Sequence, residues 1–404
     1  MRKWFLLLCS LPMLASAQDK GIQFTHAASW DEVVQQAQKE KKMIFVDAYT
    51  TWCGPCKYLS KEIFTQEKVG RYFNDKFISV KLQLDTTEKD EEYVKQWYPH
   101  ASKVMHGLKV NVFPTLLFFD SNGLPVHRFS GAGDASHLLE DAARALDPSQ
   151  QFYTLQKRYN AGERDIELLR NFSNAALKAY QPEVAEKAFV DYIQNTGSQV
   201  SAENAQMIYM MASKPTDLAF EMMAADPKAF DKAFGKTGAA DERISTVLFD
   251  HFVQAMMTTG SASGAAEQAS TLKTKYPVAA ATAESRARVY FAMNMGDWPA
   301  FTQAAASYMK KYGTKVTPEE KNNIAWAYFE HVNDKPLLNE ALGWSKASLV
   351  TNDPNHMDTY ANLLHKLGRT AEAIQVETKA MGMAKDKQSF QANIDKMKKG
   401  QKTW

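Results

Sequence analysis

The first part of the chain alternates short apolar runs with longer amphipathic stretches. Residues 43–48 (MIFVDA) form an apolar run of strand length, and residues 77–84 (FISVKLQL) alternate in polarity as a half-buried strand does. Residues 115–119 and 126–129 flank a Ser-Asn-Gly turn, which predicts a β-hairpin. Strands that alternate with helices are typical of an α/β domain, and we expect one over residues 18–147.

The segments between these strands carry helical signals. Ser29-Trp30-Asp31-Glu32 has the residue types of a capping box, in which the Ser and Glu side chains each satisfy a free N–H at a helix start. A proline at position 99 predicts a break in the third helix. The predicted helices cover residues 29–41, 55–74, 90–107 and 136–146.

The strand signal disappears after Asp147-Pro148-Ser149, which we interpret as a domain boundary. From residue 150 to residue 404, Ala, Met, Lys, Glu and Gln dominate, and Pro, Gly and Asn separate helical segments. This pattern predicts an all-α domain built of helical hairpins over residues 150–404.

Residues 323–382 are internally repeated. Ala325 and Ala361 are 36 positions apart, and Ala341 and Ala373 are 32 apart. Small side chains at these spacings let paired helices pack closely, and tetratricopeptide (TPR) repeats have a period of about 34 residues. The segment resembles TPR repeats, which form concave surfaces for binding partners.

The N-terminus has the three parts of a secretory signal peptide. The basic pair Arg2-Lys3 precedes an apolar run over residues 4–14 and the small residues 15–17. We expect residues 1–17 to be cleaved off after Ala17, which makes the mature protein periplasmic or secreted. A membrane span needs about 20 apolar residues, so neither this run nor any later one predicts a stable membrane span.

Charge and cysteine content narrow the function further. The net charge of +2 over 404 residues gives no basis for binding nucleic acid or an anionic membrane surface. Of the three cysteines, Cys9 lies inside the predicted signal peptide, which leaves Cys53 and Cys56. One C-x-x-C provides no disulfide framework, so these sulfurs act on each other or on a partner molecule.

Cys53 and Cys56 enclose Gly54-Pro55 at a predicted helix start. The free N–H groups and the helix dipole stabilise a thiolate there, so the first sulfur can attack a disulfide and the second can resolve the mixed disulfide. A zinc site is an alternative, but no second ligand pair accompanies this one. A structural disulfide is another, but it would close too short a loop to stabilise much. Redox chemistry is favoured, with no metal and no cofactor beyond the Cys53–Cys56 disulfide.

The residues around this pair resemble the thioredoxin family. WCGPCK, which begins at Trp52, the preceding FVDAYT and the later FPT carry the resemblance, which covers about residues 22–147. It implies a thioredoxin fold with a cis-proline segment, Phe113-Pro114, facing the cysteines. Trp52, this segment and Gly131 would border a groove for an extended substrate peptide, where a side chain at position 131 would block the peptide.

The same resemblance implies a pair of residues that handle protons. Asp47 occupies the position of a buried acid under the second cysteine, and Lys81 that of the lysine that pairs with the acid. Desolvation would raise the pKa of such a carboxyl, which could then relay the proton of Cys56.

Three features depart from the family pattern. The active-site helix lacks the usual kink proline, and the residue before Pro114 is the bulky Phe113. Residues 86–106 carry extra length, which we expect near the active-site end. The sequence after Lys57 resembles the secreted thioredoxin-like proteins and the gamma domain of transmembrane disulfide-transfer proteins.

Together these features predict an exported thiol–disulfide oxidoreductase that reduces or exchanges protein disulfides through Cys53 and Cys56. Its partners would be protein thiol or disulfide clients and an electron donor such as a membrane disulfide-transfer protein. The Gly-Pro pair resembles reducing thioredoxins, and the opposite direction, a disulfide oxidase or isomerase, stays open. In an alternative function, the TPR-like repeats hold a partner and the thioredoxin-like domain is a redox lock or sensor.

Overall fold

The structure is a computed structural model, which describes residues 20–404. The chain divides into two compact units, Met1–Gln199 and Val200–Trp404. The predicted signal peptide lies outside the described residues. Between residues 20 and 404, none of the helices has the length and apolar character that crossing a membrane requires.

Four strands form the sheet of the first unit. Strand β1 (Met43–Tyr49) lies between β2 (Phe77–Gln83), to which it is parallel, and β3 (Thr115–Phe119), to which it is antiparallel. Strand β4 (Pro125–Ser130) pairs antiparallel with β3 and completes the order β2-β1-β3-β4. The strands lie where the apolar runs predict them, and the predicted α/β fold is confirmed.

Five helices accompany the sheet: α1 (Trp30–Glu40), α2 (Gly54–Tyr58), α3 (Glu67–Lys76), α4 (Glu92–Gly107) and α5 (Ala135–Ala145). The predicted capping box opens α1. The Ser29 hydroxyl accepts the Glu32 N–H at 3.3 Å, and the Glu32 carboxylate accepts the Ala28 N–H at 2.9 Å. The Ser29 side chain therefore satisfies one free donor of the helix start, while the Glu32 side chain bonds Ala28, the residue before the cap.

The two faces of β1 divide the core of this unit into two clusters. Ile44 and Val46 belong to the cluster that α1 and α4 cover, and Phe45 belongs to the cluster on the other face. Successive side chains of a strand point to opposite faces, so Asp47 shares the face of Phe45. Leu59, three residues beyond the C-x-x-C, packs on that same face. The strand therefore directs the Asp47 carboxyl toward the segment that follows the cysteines.

The predicted single helix over residues 55–74 is wrong. Helix α2 passes into a π turn, Leu59–Ile63, in which the Phe64 N–H donates to the Leu59 carbonyl at 2.8 Å, and a break separates this turn from α3. A π turn is wider than an α turn. Leu59 and Ile63 would share a face in a regular α-helix too, but Phe64 would stand about 100° away from Ile63. The wider turn brings Phe64 to the same buried side.

Helix α4 runs through Pro99 without the predicted break. Proline lacks the N–H that would bond the Lys95 carbonyl, but both residues are exposed, so solvent can satisfy that carbonyl. Trp97, Ala101 and Val104 pack against the sheet from both sides of the proline. This packing holds the two halves of the helix in line.

Three further helices belong to the first unit: α6 (Phe152–Asn160), α7 (Ile166–Lys178) and α8 (Pro182–Thr196). The Phe152 N–H donates to Nδ1 of His127 on β4 at 3.0 Å, and Lys178 pairs with Asp141 of α5 at 2.6 Å. The compact units thus divide after Gln199. The domain boundary predicted at residues 147–149 stays a prediction.

Over residues 200–404, all of which are described, the second unit is built of helices and a short 3-10 turn, Leu349–Thr351. The all-α prediction for this region is confirmed. The helices are α9 (Ala205–Met211), α10 (Leu218–Ala225), α11 (Pro227–Phe234), α12 (Ala239–Thr259), α13 (Ala266–Lys275), α14 (Pro277–Asn294), α15 (Trp298–Tyr312), α16 (Pro318–His331), α17 (Lys335–Ser348), α18 (Pro354–Lys366), α19 (Thr370–Met383) and α20 (Gln388–Lys398).

The repeated alanines lie in the packed interior of the second unit. Ala325, Ala341, Ala361 and Ala373 occur once in each of α16 to α19, and each is 0% exposed. Helix α16 packs on α17, and α18 packs on α19. Small side chains therefore stand where paired helices approach, while the assignment of these pairs to the TPR family stays a prediction.

The His127 link makes stability depend on pH. Burial lowers the pKa of His127 from 6.5 to about 4, since the charged ring would lose its hydration. Between these values the unfolded chain binds the extra proton, so the folded state loses stability as the pH falls through this window. His127→Asn keeps an acceptor for the Phe152 N–H but cannot bind this proton. We expect the slope of the unfolding free energy against pH to be smaller in this variant by about 1 kcal/mol per pH unit. Urea unfolding across the window measures it.

The exposed His26 provides the matched control. His26→Asn removes an exposed imidazole by the same substitution and is compared with His127→Asn under the same conditions. Equal slopes in His127→Asn and the wild type would contradict the prediction.

Candidate active site

The C-x-x-C lies at the start of α2, where Cys53 is the residue before the first helical turn. The two cysteines form a disulfide with their Cα atoms 5.3 Å apart, and each residue is only 3% exposed. The Cys56 N–H donates to Cys53 Sγ at 3.1 Å. A donor in this position also stabilises a thiolate on Cys53. Pro55 lies in the first turn, where its missing N–H costs nothing.

Beside the cysteines, Trp52 and the Phe113-Pro114 segment form one surface. Trp52 is 68% exposed, and its ring stands perpendicular to that of Phe113 with the centroids 5.7 Å apart. The Phe113–Pro114 peptide bond is cis. The Gly131 N–H donates to the Pro114 carbonyl at 2.9 Å, so the loop after β4 is tied to this segment.

Gly131 borders a groove of about 310 Å³. Its φ of +97° lies in the region that side chains rarely adopt, so substitution strains the backbone. A Cβ added at Gly131 would meet no atom within 4 Å, which leaves obstruction of a bound peptide as a prediction. The lining side chains include Leu59, Leu116, Phe129, His137 and Leu138.

The Asp47 carboxyl is buried on β1 and is 1% exposed. Within residues 20–404, neither of its oxygens accepts a hydrogen bond, and Nζ of Lys81 is 3.4 Å from Oδ2. Burial raises the pKa of Asp47 above its usual value, and the attraction of Lys81 offsets part of the rise. The carboxyl can therefore keep a proton at a pH at which an exposed aspartate has lost it.

Lys81 reaches Asp47 because the two residues are direct neighbours in the β1–β2 register. Three aromatic rings surround its ammonium group, at 5.1 Å for Phe24, 5.2 Å for Tyr49 and 5.7 Å for Phe64, measured to the centroids. Ring faces attract a cation but accept no ordinary hydrogen bond. The rings therefore confine the ammonium group without satisfying its donors.

The hydroxyl of Ser60 provides the closest polar contact of this ammonium group. Lys81 Nζ donates to Ser60 Oγ at 2.6 Å, a shorter distance than the 3.4 Å to Asp47. Ser60 is the second residue of the π turn. Sequence analysis did not identify it, since a serine in a predicted helix carries no signal of its partner.

A second contact missed by sequence analysis holds the loop before the cysteines. The Asp85 carboxylate accepts the Thr51 N–H at 3.0 Å and also the Thr51 hydroxyl. Asp85 directly precedes the extra segment predicted to lie near the active-site end. Its contact brings the start of that segment against the loop that leads to Cys53.

Asp90 orders the same segment. Its carboxylate accepts hydrogen bonds from the Tyr98 hydroxyl at 2.6 Å, from the Gln83 side chain at 2.7 Å, and from both the N–H and the hydroxyl of Thr87. The bonds from Tyr98 and Thr87 lower the pKa of Asp90 to about 2. The carboxylate therefore stays charged, and its bonds stay intact, down to strongly acidic pH.

The structure thus brings the predicted site residues together in two groups. Cys53 and Cys56 adjoin Trp52, whose ring contacts Phe113. The buried Asp47 and the partly exposed Lys81 form a separate pair. The catalytic and substrate-binding roles of these residues stay predictions.

The Asp85 contact predicts a local stability effect. Asp85→Ala should lower the free energy of unfolding by about 1–3 kcal/mol, because the Thr51 N–H loses its acceptor. Asp85→Asn keeps one acceptor and should lose less. Glu88→Ala, which removes an exposed carboxylate from the same segment, is the control for charge alone. Equal losses in Asp85→Ala and Glu88→Ala, measured by urea unfolding, would contradict the anchoring role.

Comparison with known proteins places these residues in a family. Residues 30–143 match the model of a thioredoxin-like domain. Thioredoxin Y, chloroplastic, from Oryza sativa subsp. japonica is 32% identical over 120 residues, which cover 30% of this chain and 59% of the relative. The thiol:disulfide interchange protein DsbD from Photorhabdus laumondii is 30% identical over 122 residues, which cover 30% of this chain and 19% of DsbD. The chain thus spans less than two thirds of the length of either relative.

One solved structure is similar over nearly its whole length. The solution structure of a candidate disulphide-isomerase from Bacteroides thetaiotaomicron is 37% identical and covers 32% of this chain and 98% of that chain, with a TM-score of 0.27. The Cys53–Cys56 pair lies inside the region that the family model matches. Residues 30–143 of this chain are therefore similar to the thioredoxin-like domain, and they contain its C-x-x-C pair.

Proposed function

We propose that this protein is an exported protein-disulfide reductase. The observation that carries the proposal is the Cys53–Cys56 disulfide at the start of α2, where the Cys56 N–H points at Cys53 Sγ. A donor aimed at this sulfur lowers the cost of forming its thiolate. The buried Asp47 carboxyl, paired with Lys81 on the neighbouring strand, supports the proposal as a place where a proton can be held.

In the first step, the Cys53 thiolate attacks one sulfur of a client disulfide. A bond forms between Cys53 and the client, the client S–S bond breaks, and the second client sulfur leaves as a thiolate. In the next step, the Cys56 thiolate attacks Cys53 and releases the first client sulfur. Two electrons pass to the client, and the protein is left with the Cys53–Cys56 disulfide.

The proton of Cys56 must leave before this thiol can attack. We assign its removal to the Asp47 carboxylate, acting directly or through one water molecule. The raised pKa of Asp47 suits this role, because a base with a pKa closer to that of the thiol is a stronger acceptor. Lys81 would stabilise the carboxylate between proton transfers.

Client binding fits the surface around the cysteines. Trp52 offers exposed aromatic area and Phe113 partly buried aromatic area beside Cys53. Gly131, whose N–H bonds the Pro114 carbonyl, borders the neighbouring groove. An extended segment of a client could lie along the Phe113-Pro114 segment. The bulky Phe113 would favour clients with small residues beside the disulfide.

A reductase in an oxidising compartment needs a supply of electrons. The predicted signal peptide over residues 1–17 and the similarity to part of DsbD, a thiol:disulfide interchange protein, support export. A membrane disulfide-transfer protein is the class of donor that fits. It would reduce the Cys53–Cys56 disulfide by the reverse of the client reaction, so each cycle stays balanced in electrons.

The helical second unit supports a further part of the proposal, the holding of clients. Its α16–α19 region has buried alanines at TPR-like spacing, and helical repeats commonly present concave binding surfaces. Tethering a client near the cysteines would raise its effective concentration. Holding a partner, with the redox site as a lock or sensor, is the second candidate function.

The direction of the reaction can be tested by redox titration. We expect the Cys53–Cys56 couple to have a potential near that of thioredoxin, about −270 mV, and the protein to reduce insulin. Cys53→Ser should abolish insulin reduction. A potential near about −120 mV would instead indicate an oxidant. Insulin left unreduced by the wild-type protein in the presence of dithiothreitol would favour the lock or sensor function.

Trapping tests whether the helices select clients. Cys56→Ser should accumulate mixed disulfides, because the resolving thiol is missing. We expect the full chain to trap a narrower set of exported proteins than residues 18–199, which end where the first compact unit ends. The double variant Cys53→Ser/Cys56→Ser should trap nothing. Identical sets from the two chains, compared by mass spectrometry, would rule out client selection by residues 200–404.

A further inference from the structure

We propose that Ser60 is a positioning residue, whose hydroxyl holds the Lys81 ammonium group partly away from the Asp47 carboxyl and so keeps this carboxyl able to hold a proton. The inference deepens the proposed function and rests on it, since Asp47 is assigned there as the base for Cys56. Ser60 itself touches neither the cysteines nor the client in this assignment.

The distances around Lys81 carry the argument. Its Nζ is 2.6 Å from Ser60 Oγ and 3.4 Å from Asp47 Oδ2. Ammonium–carboxylate hydrogen bonds are normally about 2.7–2.9 Å long, so the charged pair is held beyond its optimum while the neutral contact is short. The shorter contact of Lys81 is thus with the neutral hydroxyl of Ser60, and the longer one is with the carboxyl of Asp47. Ser60 therefore competes with Asp47 for the same ammonium group.

The surroundings of Lys81 leave the ammonium group few other partners. Phe24, Tyr49 and Phe64 present ring faces within 5.7 Å, and the Lys81 side chain is 35% exposed. Ser60, Asp47 and solvent are left to satisfy its N–H donors. Removing the Ser60 hydroxyl would remove the contact that holds Nζ in place, and the ammonium group could then close the 3.4 Å gap to the carboxyl, which has no hydrogen bond from any residue of the described chain.

The π turn explains why a serine can reach this lysine. Leu59, Ile63 and Phe64 occupy the buried side of the turn, and Ser60 is half-buried beside them. The Phe64 N–H to Leu59 carbonyl bond holds this widened turn in place. Ser60 thus lies on a fixed element and acts on Lys81 from a defined direction.

The electrostatic consequence has a definite sign. A cation in direct contact with a carboxylate favours the charged form and lowers the pKa of the carboxyl by about 1–3 units. Burial raises the pKa of Asp47, and Lys81 lowers it. Loss of the Ser60 hydroxyl would let Lys81 approach Asp47, so the pKa of Asp47 should fall.

Other titratable groups face this pair and enter the design of the test. Tyr49 on β1 has its pKa raised to about 12 by burial and stays neutral at the pH of the experiment. His26 and Tyr93 line the same pocket as Lys81, and Asp85 and Asp90 lie close enough to affect Tyr49. His26→Asn is the first control for the effect of these neighbouring groups on Asp47.

The experiment is a carboxyl ¹³C NMR titration of the oxidised full-length protein, with Asp47→Asn to assign the resonance. We expect Ser60→Ala to lower the pKa of Asp47 by about 1 unit. Ser60→Thr, which keeps a hydroxyl, should match the wild type, and Ser60→Val, which has the shape of threonine without the hydroxyl, should match Ser60→Ala. The limb of the pH–rate profile of insulin reduction that reports Asp47 should move by the same amount.

Two controls separate positioning from a structural effect. In a Lys81→Met background, Ser60→Ala should leave the titration of Asp47 unchanged, because the competing ammonium group is gone. Thr65→Ala removes a hydroxyl that bonds the Lys61 carbonyl just beyond the turn, and it should not shift Asp47. No shift in Ser60→Ala, an upward shift, or a shift that persists without Lys81 would overturn the proposal.

The titration is independent of the proposed activity, so the two can fail separately. A downward shift in Ser60→Ala in a protein that reduces no insulin supports the positioning of Lys81 and overturns the reductase function. If the protein reduces insulin but Ser60→Ala leaves the titration of Asp47 unchanged, the positioning role of Ser60 is overturned and the reductase function stands.

Discussion

Burial of the Asp47 carboxyl is the constraint around which the first unit is organised. An isolated buried charge in this position would be strongly destabilising. The β1–β2 register places Lys81 directly beside Asp47, and its positive charge offsets part of this penalty. Three aromatic rings confine the ammonium group. The charge is balanced incompletely, since no hydrogen bond from the described residues reaches the carboxyl oxygens. A fully satisfied ion pair would be more stable but would titrate less usefully.

The cysteines and the hydroxyl that bonds Lys81 stand on one continuous segment of the chain. Helix α2 supplies the N–H for Cys53 Sγ, and the π turn that follows it supplies Ser60 for Lys81. One continuous segment of ten residues, 54–63, therefore contacts both Cys53 and Lys81. Widening of the turn is the local solution to burying Leu59 and Phe64 on the same side. Its effect on Lys81 follows from that packing requirement.

Sequence analysis predicted the strands because their apolar patterns are local, and resemblance to a family predicted that Asp47 and Lys81 would meet. Ser60 and Asp85 were missed for a common reason. Each is a polar residue of a partly exposed segment, and such residues look alike in sequence whether they bind solvent or a partner more than 20 positions away. The π turn was missed because it depends on which side chains the sheet buries. The break predicted at Pro99 was wrong because a local rule for proline in helices takes no account of side chains that pack on both sides of it.

The hydrogen bond from α6 to His127 also bears on how this chain can be recombined with others. Similarity to the family ends at residue 143, yet β4 offers its buried imidazole to a helix that begins at Phe152. A graft cut at the family boundary would carry an orphaned acceptor and an uncovered strand into its new host. The transplantable module is therefore the longer piece that includes α6, α7 and α8, and chimaeras joined after Gln199 keep the contacts of that strand with α5, α6 and α7.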